Sequence, residues 1–195
     1  MNLDLTKKYT YDDYYSWGDD VPRCELIDGI VYMASAPLGV HQKISGDLFG
    51  IIWNHLRKRK CEVYHAPFDV RLDADKGNET TVQPDIVVIC DPNKIDKRGC
   101  KGAPDLVVEI TSKSTRKRDM VLKYEKYREA GVLEYWIVHP DIKSIQVHTF
   151  ADGIGNLQNY IDDMEVKSNV LQELVVTAND IFPAELEEET DDDLD

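Results

Sequence analysis

The 195-residue sequence has no apolar run of about 18 or more residues, which excludes a membrane-spanning helix. Residues Met1 to Asp13 mix lysines and aspartates with polar side chains and lack the apolar core of a secretory signal. There is no Cys-x-x-Cys pair and no histidine at finger spacing, so Cys24, Cys61, Cys90 and Cys100 do not suggest zinc. They read as reduced, mostly buried thiols of a cytoplasmic protein. No internal repeat and no Ser/Gly-rich linker interrupts the chain. With 42% hydrophobic residues, the sequence reads as one domain over 1–184 with a sizeable core.

Positive charge is scarce: 23 Lys and Arg stand against 37 Asp and Glu, a net charge of −14. That balance argues at first against a nucleic-acid partner. The distribution softens the argument. Residues 185–195 (ELEEETDDDLD) carry eight acids and no base, which leaves −6 on residues 1–184. This stretch reads as a disordered acidic tail. The bases cluster at Arg57 to Lys60, Lys94 to Lys101 and Lys113 to Arg118. Each cluster is a candidate positive patch or simply a solvated surface.

Local patterns predict an α/β fold. Thr10 to Tyr15 reads as a short helix with Thr10 as N-cap and Asp13 three residues on. Glu25 to Met33 reads as a hairpin turning at Asp28-Gly29. From His41 to Arg59, Ile44, Leu48, Ile51, Ile52 and Leu56 recur at helical spacing. Residues 61–72 predict a strand and 73–81 a loop. Ile86 to Ile89 and Leu106 to Val108 are unbroken apolar runs, the signature of strands buried on both faces. Between them lies DPNKIDKRGCKGAP, rich in turn formers. Ser114 to Ala130 predicts a second long helix, with Gly131 just past its end. Val132 to Val138 and Ile145 to Phe150 predict two more strands, the second ending in a turn at Asp152-Gly153. Alternation of helix and strand implies a mixed sheet flanked by helices.

Two acids are placed where burial is costly. Asp85 directly precedes an apolar strand, and Glu109 sits inside one. A buried carboxylate needs a partner. If the two strands form an antiparallel pair across the loop 91–104, paired residue numbers sum to about 195, and Asp85 falls opposite Glu109 or Ile110. Facing carboxylates repel each other. A divalent cation such as Mg²⁺ removes the repulsion, and it accepts one or two carboxylates plus water and phosphate oxygens. A loop aspartate together with a glutamate bound by Lys or Arg is the alternative. Asp119, Lys123 and Tyr127 recur every four residues on one face of the following helix. Asp119 and Lys123 form either a solvated helical ion pair or part of the site, with Lys123 delivering its ammonium to the acids.

These segments form an ordered set: Glu25-Leu26-Ile27-Asp28-Gly29, His41-Gln42, Pro84-Asp85-Ile86-Val87 and Asp105 to Ile110. They continue as Ser112-Lys113-Ser114-Thr115, Asp119-x-x-x-Lys123-x-x-x-Tyr127 and Gly131-Val132-x-Glu134-Tyr135-Trp136. In order and spacing, from about residue 10 to 183, the set resembles the Uma-two family of restriction-endonuclease-like proteins in the PD-(D/E)xK superfamily. The resemblance implies a core of helix, three strands, helix and strand, preceded by an N-terminal hairpin, and a hydrolytic nuclease site. By match, Asp85 is the motif aspartate and Glu109 the second acid. The superfamily lysine is expected two residues after that acid, but Thr111 stands there. Lys123 on the next helix fits the role instead. Glu25 is implied as a further acid, and His139 stands where relatives often carry an acid.

The expectation is therefore a metal-dependent endonuclease acting on DNA, in which Asp85, Glu109 and the Ile110 carbonyl hold Mg²⁺ or Mn²⁺. Lys123 then orients water or stabilises charge growing on phosphate. His41, at a helix N-terminus, either touches phosphate or is satisfied by backbone. Tyr127 and Trp136 read as core aromatics. Two other readings stay open: a non-catalytic binding module of the same fold, and a metal-dependent hydrolase of a small phosphoester. Tyr135-Trp136 and the Asp28-Gly29 hairpin are candidate surfaces for a homodimer.

Overall fold

The computed structural model describes residues 3–4, 6–34, 36–151 and 154–182. The acidic segment 185–195 and the turn expected at Asp152-Gly153 lie outside the described residues.

Helix α1 (Tyr11–Ser16) begins with the expected capping box, in which Thr10 and Asp13 satisfy each other's backbone N–H groups. Strands β1 (Cys24–Ile27) and β2 (Ile30–Met33) pair antiparallel. Asp28 and Gly29 between them both take positive φ, 52° and 79°. A type I′ hairpin turn requires that combination. Helix α2 (Gly39–Leu56) buries Ile44, Leu48, Ile52 and Leu56, and Ile51 packs at their margin.

Beyond it come β3 (Glu62–His65), β4 (Val70–Arg71), β5 (Thr81–Val82) and β6 (Ile86–Ile89). Strands β7 (Ile95–Asp96), β8 (Gly99–Lys101) and β9 (Leu106–Ile110) follow. A π-helical segment, Arg118–Lys123, runs into α3 (Tyr124–Ala130). Strands β10 (Glu134–His139), β11 (Ser144–Ala151) and β12 (Ile154–Ile161) and the short helix α4 (Ala178–Ile181) complete the described elements.

The expected mixed α/β architecture is present, as two mixed sheets with few helices. The larger runs β12-β11-β10-β9-β6-β3. Strands β9 and β10 are parallel, joined by the crossover containing α3, and the other neighbours are antiparallel. The smaller sheet runs β2-β1-β5-β4-β8-β7.

Central strands β6, β9 and β10 are buried at every residue, as their unbroken apolar runs require. One face of the larger sheet (Ile86, Val88, Leu106, Val108, Trp136, Val138) packs with α2, α4 and residues 166–176. On the opposite face, Val87, Ile89, Val107, Tyr135 and Ile137 pack with Tyr127 of α3 and with Ile27, Val70 and Val82 of the smaller sheet. The candidate acids belong to this second face.

The structure corrects five local expectations. The strand 61–72 is two strands in different sheets. Pro67 lies between them, and proline has no N–H to continue a ladder. The turn-rich stretch 91–104 folds into the β7–β8 hairpin, which extends the smaller sheet. Helix 114–130 is not uniformly α-helical, because 118–123 is π-wound.

The thiols are not all reduced. Cys61 and Cys90 are disulfide-bonded, while Cys24 and Cys100 are free and buried. Glu62 pairs with Ile89, so the antiparallel register of β3 and β6 brings these two cysteines opposite each other. A separation of 29 residues in sequence hides that proximity. Finally, Tyr135 and Trp136 are fully buried in β10 and offer no surface to a second copy. Among the described residues, no helix is long and apolar enough to cross a membrane.

Candidate active site

Register decides where the two motif acids meet. Ile86 pairs with Val108 and Val87 with Val107, a constant sum of 194. One step beyond the last pair, Asp85 faces Glu109, so both side chains rise on the same face of the sheet. Lys123 arrives from the crossover helix. Its Nζ lies 2.9 Å from Glu109 Oε1, 2.8 Å from Glu25 Oε1 and 3.7 Å from Asp119 Oδ1. The structure thus joins Glu25, Glu109 and Lys123 directly, although they come from the hairpin, the central sheet and the helix. The Asp119–Lys123 pair is not the solvated one that spacing alone allows, because their exposures are 2% and 3%.

Further hydrogen bonds hold the acids in place. Tyr127 donates its hydroxyl to Glu109 Oε1 at 2.6 Å, so this core aromatic is also a polar partner. The Gln83 backbone N–H donates to Glu25 Oε1 at 2.9 Å. Asp85 is held separately. Its Oδ2 accepts the Ile110 N–H at 2.7 Å and lies 3.2 Å from His41 Nε2. Asp85 is also the more open of the motif acids, with 15% of its side chain exposed against 6% for Glu109. Thr111, in the position of the superfamily lysine, turns its hydroxyl to the Val138 carbonyl and to His139 Nδ1. His139 is buried there, and among the described residues it forms no hydrogen bond or ion pair with those acids.

The cluster holds more negative charge than it can neutralise. Glu25, Glu109 and Asp119 converge on one ammonium, Asp85 adds its charge beside Glu109, and the Arg118 guanidinium lies at the edge, 3.9 Å from Glu25 Oε2. Burial pushes the Glu109 carboxyl up to about 8. The attraction of Lys123 does not offset burial together with repulsion from Asp119, Asp85 and Glu25. Asp119 is also raised, chiefly by burial. Glu25 goes the other way. Burial opposes ionisation there too, but the charge and hydrogen bond of Lys123, the Gln83 N–H and Arg118 outweigh it. Lys123 is held above the usual lysine range: burial disfavours its charge, and the three acids more than compensate. His41 is raised as well, because its hydrogen bond to Asp85 and that residue's charge, aided by the Ile110 backbone, overcome burial.

No three His, Cys, Asp or Glu side chains among the described residues enclose a common point as metal ligands would. The ammonium of Lys123 lies between two of the acids instead. Even so, the donor set suits a hard divalent cation. It consists of oxygens only, from Asp85, Glu109 and the Ile110 carbonyl, and a cation would supply positive charge beside Glu109, whose carboxyl burial and the neighbouring acids push up to about 8.

Of the residues the sequence singles out, Glu25, Glu109 and Lys123 meet and Asp85 faces Glu109. The sequence marks Arg118 only as the end of a basic cluster and gives no sign of the Gln83 N–H. A backbone donor leaves no mark in a sequence.

Comparison with solved structures finds a chain titled as a putative nuclease belonging to DUF820, from Anabaena variabilis ATCC 29413. It is 19% identical, with a TM-score of 0.73, and the match covers 89% of this chain and 97% of that one. At that identity the likeness establishes the fold. No curated protein matches. The sequence profile of Uma2, described as "Putative restriction endonuclease", matches residues 11–179. That span contains every site residue described above, and the chain belongs to the Uma2 family.

Proposed function

We propose that this site hydrolyses phosphodiester bonds in DNA with the help of a divalent cation, Mg²⁺ or Mn²⁺. The observation that carries the reading is the convergence of Glu109 and Glu25 on the Lys123 ammonium, with Asp85 facing Glu109 across the strand pair. Asp85, Glu109 and the Ile110 carbonyl are the residues that would hold the cation. When bound, such a cation supplies Lewis-acid polarisation of the phosphodiester and acidifies water.

The protein's own groups divide the remaining work. Lys123 stays protonated because acids surround it. It therefore serves as a fixed positive charge for the phosphate and not as a proton acceptor. Glu25 and Tyr127 fix that charge and the Glu109 carboxylate in place through bonds of 2.8 Å and 2.6 Å. His41 and the Ile110 N–H orient Asp85.

Supercoiled plasmid incubated with Mg²⁺ or Mn²⁺ tests the proposal. The wild-type protein should nick it, and Glu109→Ala should lose at least about 100-fold in rate, the scale of a lost electrostatic contact to a transition state. Equal activity in the two proteins rejects these roles. The few per cent exposure of Glu25, Glu109 and Lys123 gives the small-phosphoester reading a specific basis. Turnover of a model phosphodiester with plasmid left intact would select it.

A further inference from the structure

The helix after β9 is wound so that a second cation joins Lys123. Between Arg118 and Lys123 the backbone is π-helical, and the Tyr124 N–H donates to the Asp119 carbonyl five residues back. In this winding, residues five apart come to the same face of the helix. In an α-helix the same residues would stand about 140° apart around the axis. Arg118 and Lys123 are such a pair, and both reach Glu25, at 3.9 Å from Oε2 and 2.8 Å from Oε1.

The two cations are not equivalent. Lys123 is sealed in, with three acids around it. Arg118 keeps 20% of its side chain exposed and lies outside hydrogen-bond range of Glu25. Glu25 takes its hydrogen bonds from Lys123 and the Gln83 N–H on Oε1, and Arg118 stands off its Oε2. The Arg118 Nε is buried and donates to no acceptor among the described residues. The guanidinium approaches the ring of Tyr32, with 5.8 Å from its carbon to the centroid. A planar fork of donors, one fifth of its side chain exposed beside the acids, matches a phosphate group.

We infer that Arg118 is a substrate-contacting residue that binds a backbone phosphate of the nucleic acid, and that the π-helical turn exists to present it. Lys123 remains the buried charge, and Arg118 is the accessible one. This inference rests on the nuclease reading above and adds a contact to it.

The test is equilibrium binding of a fluorescein-labelled DNA duplex, followed by anisotropy in EDTA at several salt concentrations. It requires no turnover. Wild-type protein should bind with a salt-dependent affinity. Arg118→Gln keeps most of the side chain's bulk without its charge. It should weaken binding about tenfold and lower the slope of log K against log salt by about 0.9, the value of one phosphate contact. Arg118→Lys should keep the slope and restore part of the affinity. Thermal melting of each variant shows that it is folded, and a role limited to supporting Glu25 would move the melt and leave the salt slope alone. An Arg118→Gln protein with wild-type affinity and slope overturns the inference while the nuclease reading stands. A wild-type protein that binds no duplex overturns the inference, and the nuclease reading is then decided by the plasmid assay with Mg²⁺ or Mn²⁺.

Discussion

Replacing Lys123 with methionine removes the ammonium and keeps much of the side chain's volume. Three carboxylates within 3.7 Å of Nζ then lose their common cation, and all three are nearly inaccessible to water. Breaking a buried ion pair by deleting one partner costs about 3–5 kcal/mol. Two features of the site keep the cost within that range. Glu25 retains the Gln83 N–H and the nearby Arg118, and Glu109, already pushed up to about 8, escapes by taking a proton. A domain stability of about 5–15 kcal/mol therefore survives the change at low temperature.

The sign of the pH dependence follows from the same groups. Without Lys123 the native carboxyls bind protons that the unfolded chain has already released. The native state then holds the extra protons between about pH 5 and 8, and its stability falls as pH rises. The deficit relative to wild type should accordingly be small at pH 5 and reach about 3–5 kcal/mol at pH 8. Urea unfolding of metal-free protein, followed by tryptophan fluorescence across this range, measures it. Millimolar Mg²⁺ should restore more stability to Lys123→Met than it adds to wild type, since the ion replaces the missing charge. A deficit below about 1 kcal/mol at pH 8, the size expected of a solvated surface pair, or one that does not change with pH, would refute the reasoning.

Two further outcomes are expected. In the metal-free wild type, Glu109 keeps its proton up to about 8 while the unfolded chain loses it near 4.5, so this residue makes stability decline as pH rises through that window. Glu109→Gln cannot titrate and should flatten the decline, and an unchanged slope in denaturant titrations would show that another group is responsible. Gly99 has φ of 114°, and a Cβ there would stand 2.2 Å from the Asp69 carbonyl oxygen. Gly99→Ala should therefore cost at least about 2 kcal/mol of unfolding free energy, and a loss within about 0.5 kcal/mol would contradict the backbone placement of β8 against residue 69.

Local chemistry was legible in the sequence wherever neighbouring residues settle the outcome among themselves. The Thr10–Asp13 capping box, the Asp28-Gly29 turn, the apolar stripe of α2 and the αL residue Gly131 all lie where their signals put them. The pairing of Asp85 with Glu109 was also accessible. An antiparallel pair obeys a constant sum, and the expected value of about 195 differs from the observed 194 by one.

Long-range assembly was another matter. The Cys61–Cys90 bond, the smaller sheet assembled from two-, three- and four-residue strands, and the meeting of Glu25 with Lys123 depend on segments far apart in the chain. No periodicity records such a meeting, because each segment's preference is satisfied equally well in many relative placements. The π-wound turn at 118–123 belongs with these. An isolated helix would choose the α form, and here the register that brings Lys123 onto two buried acids and Arg118 beside Glu25 accompanies the wider turn. Residue order alone marks the side chains able to do chemistry and the faces that will be buried. Which of those side chains share a site depends on the folded assembly, since the burial of unlike segments against one another, and not local preference, sets the distances between charges.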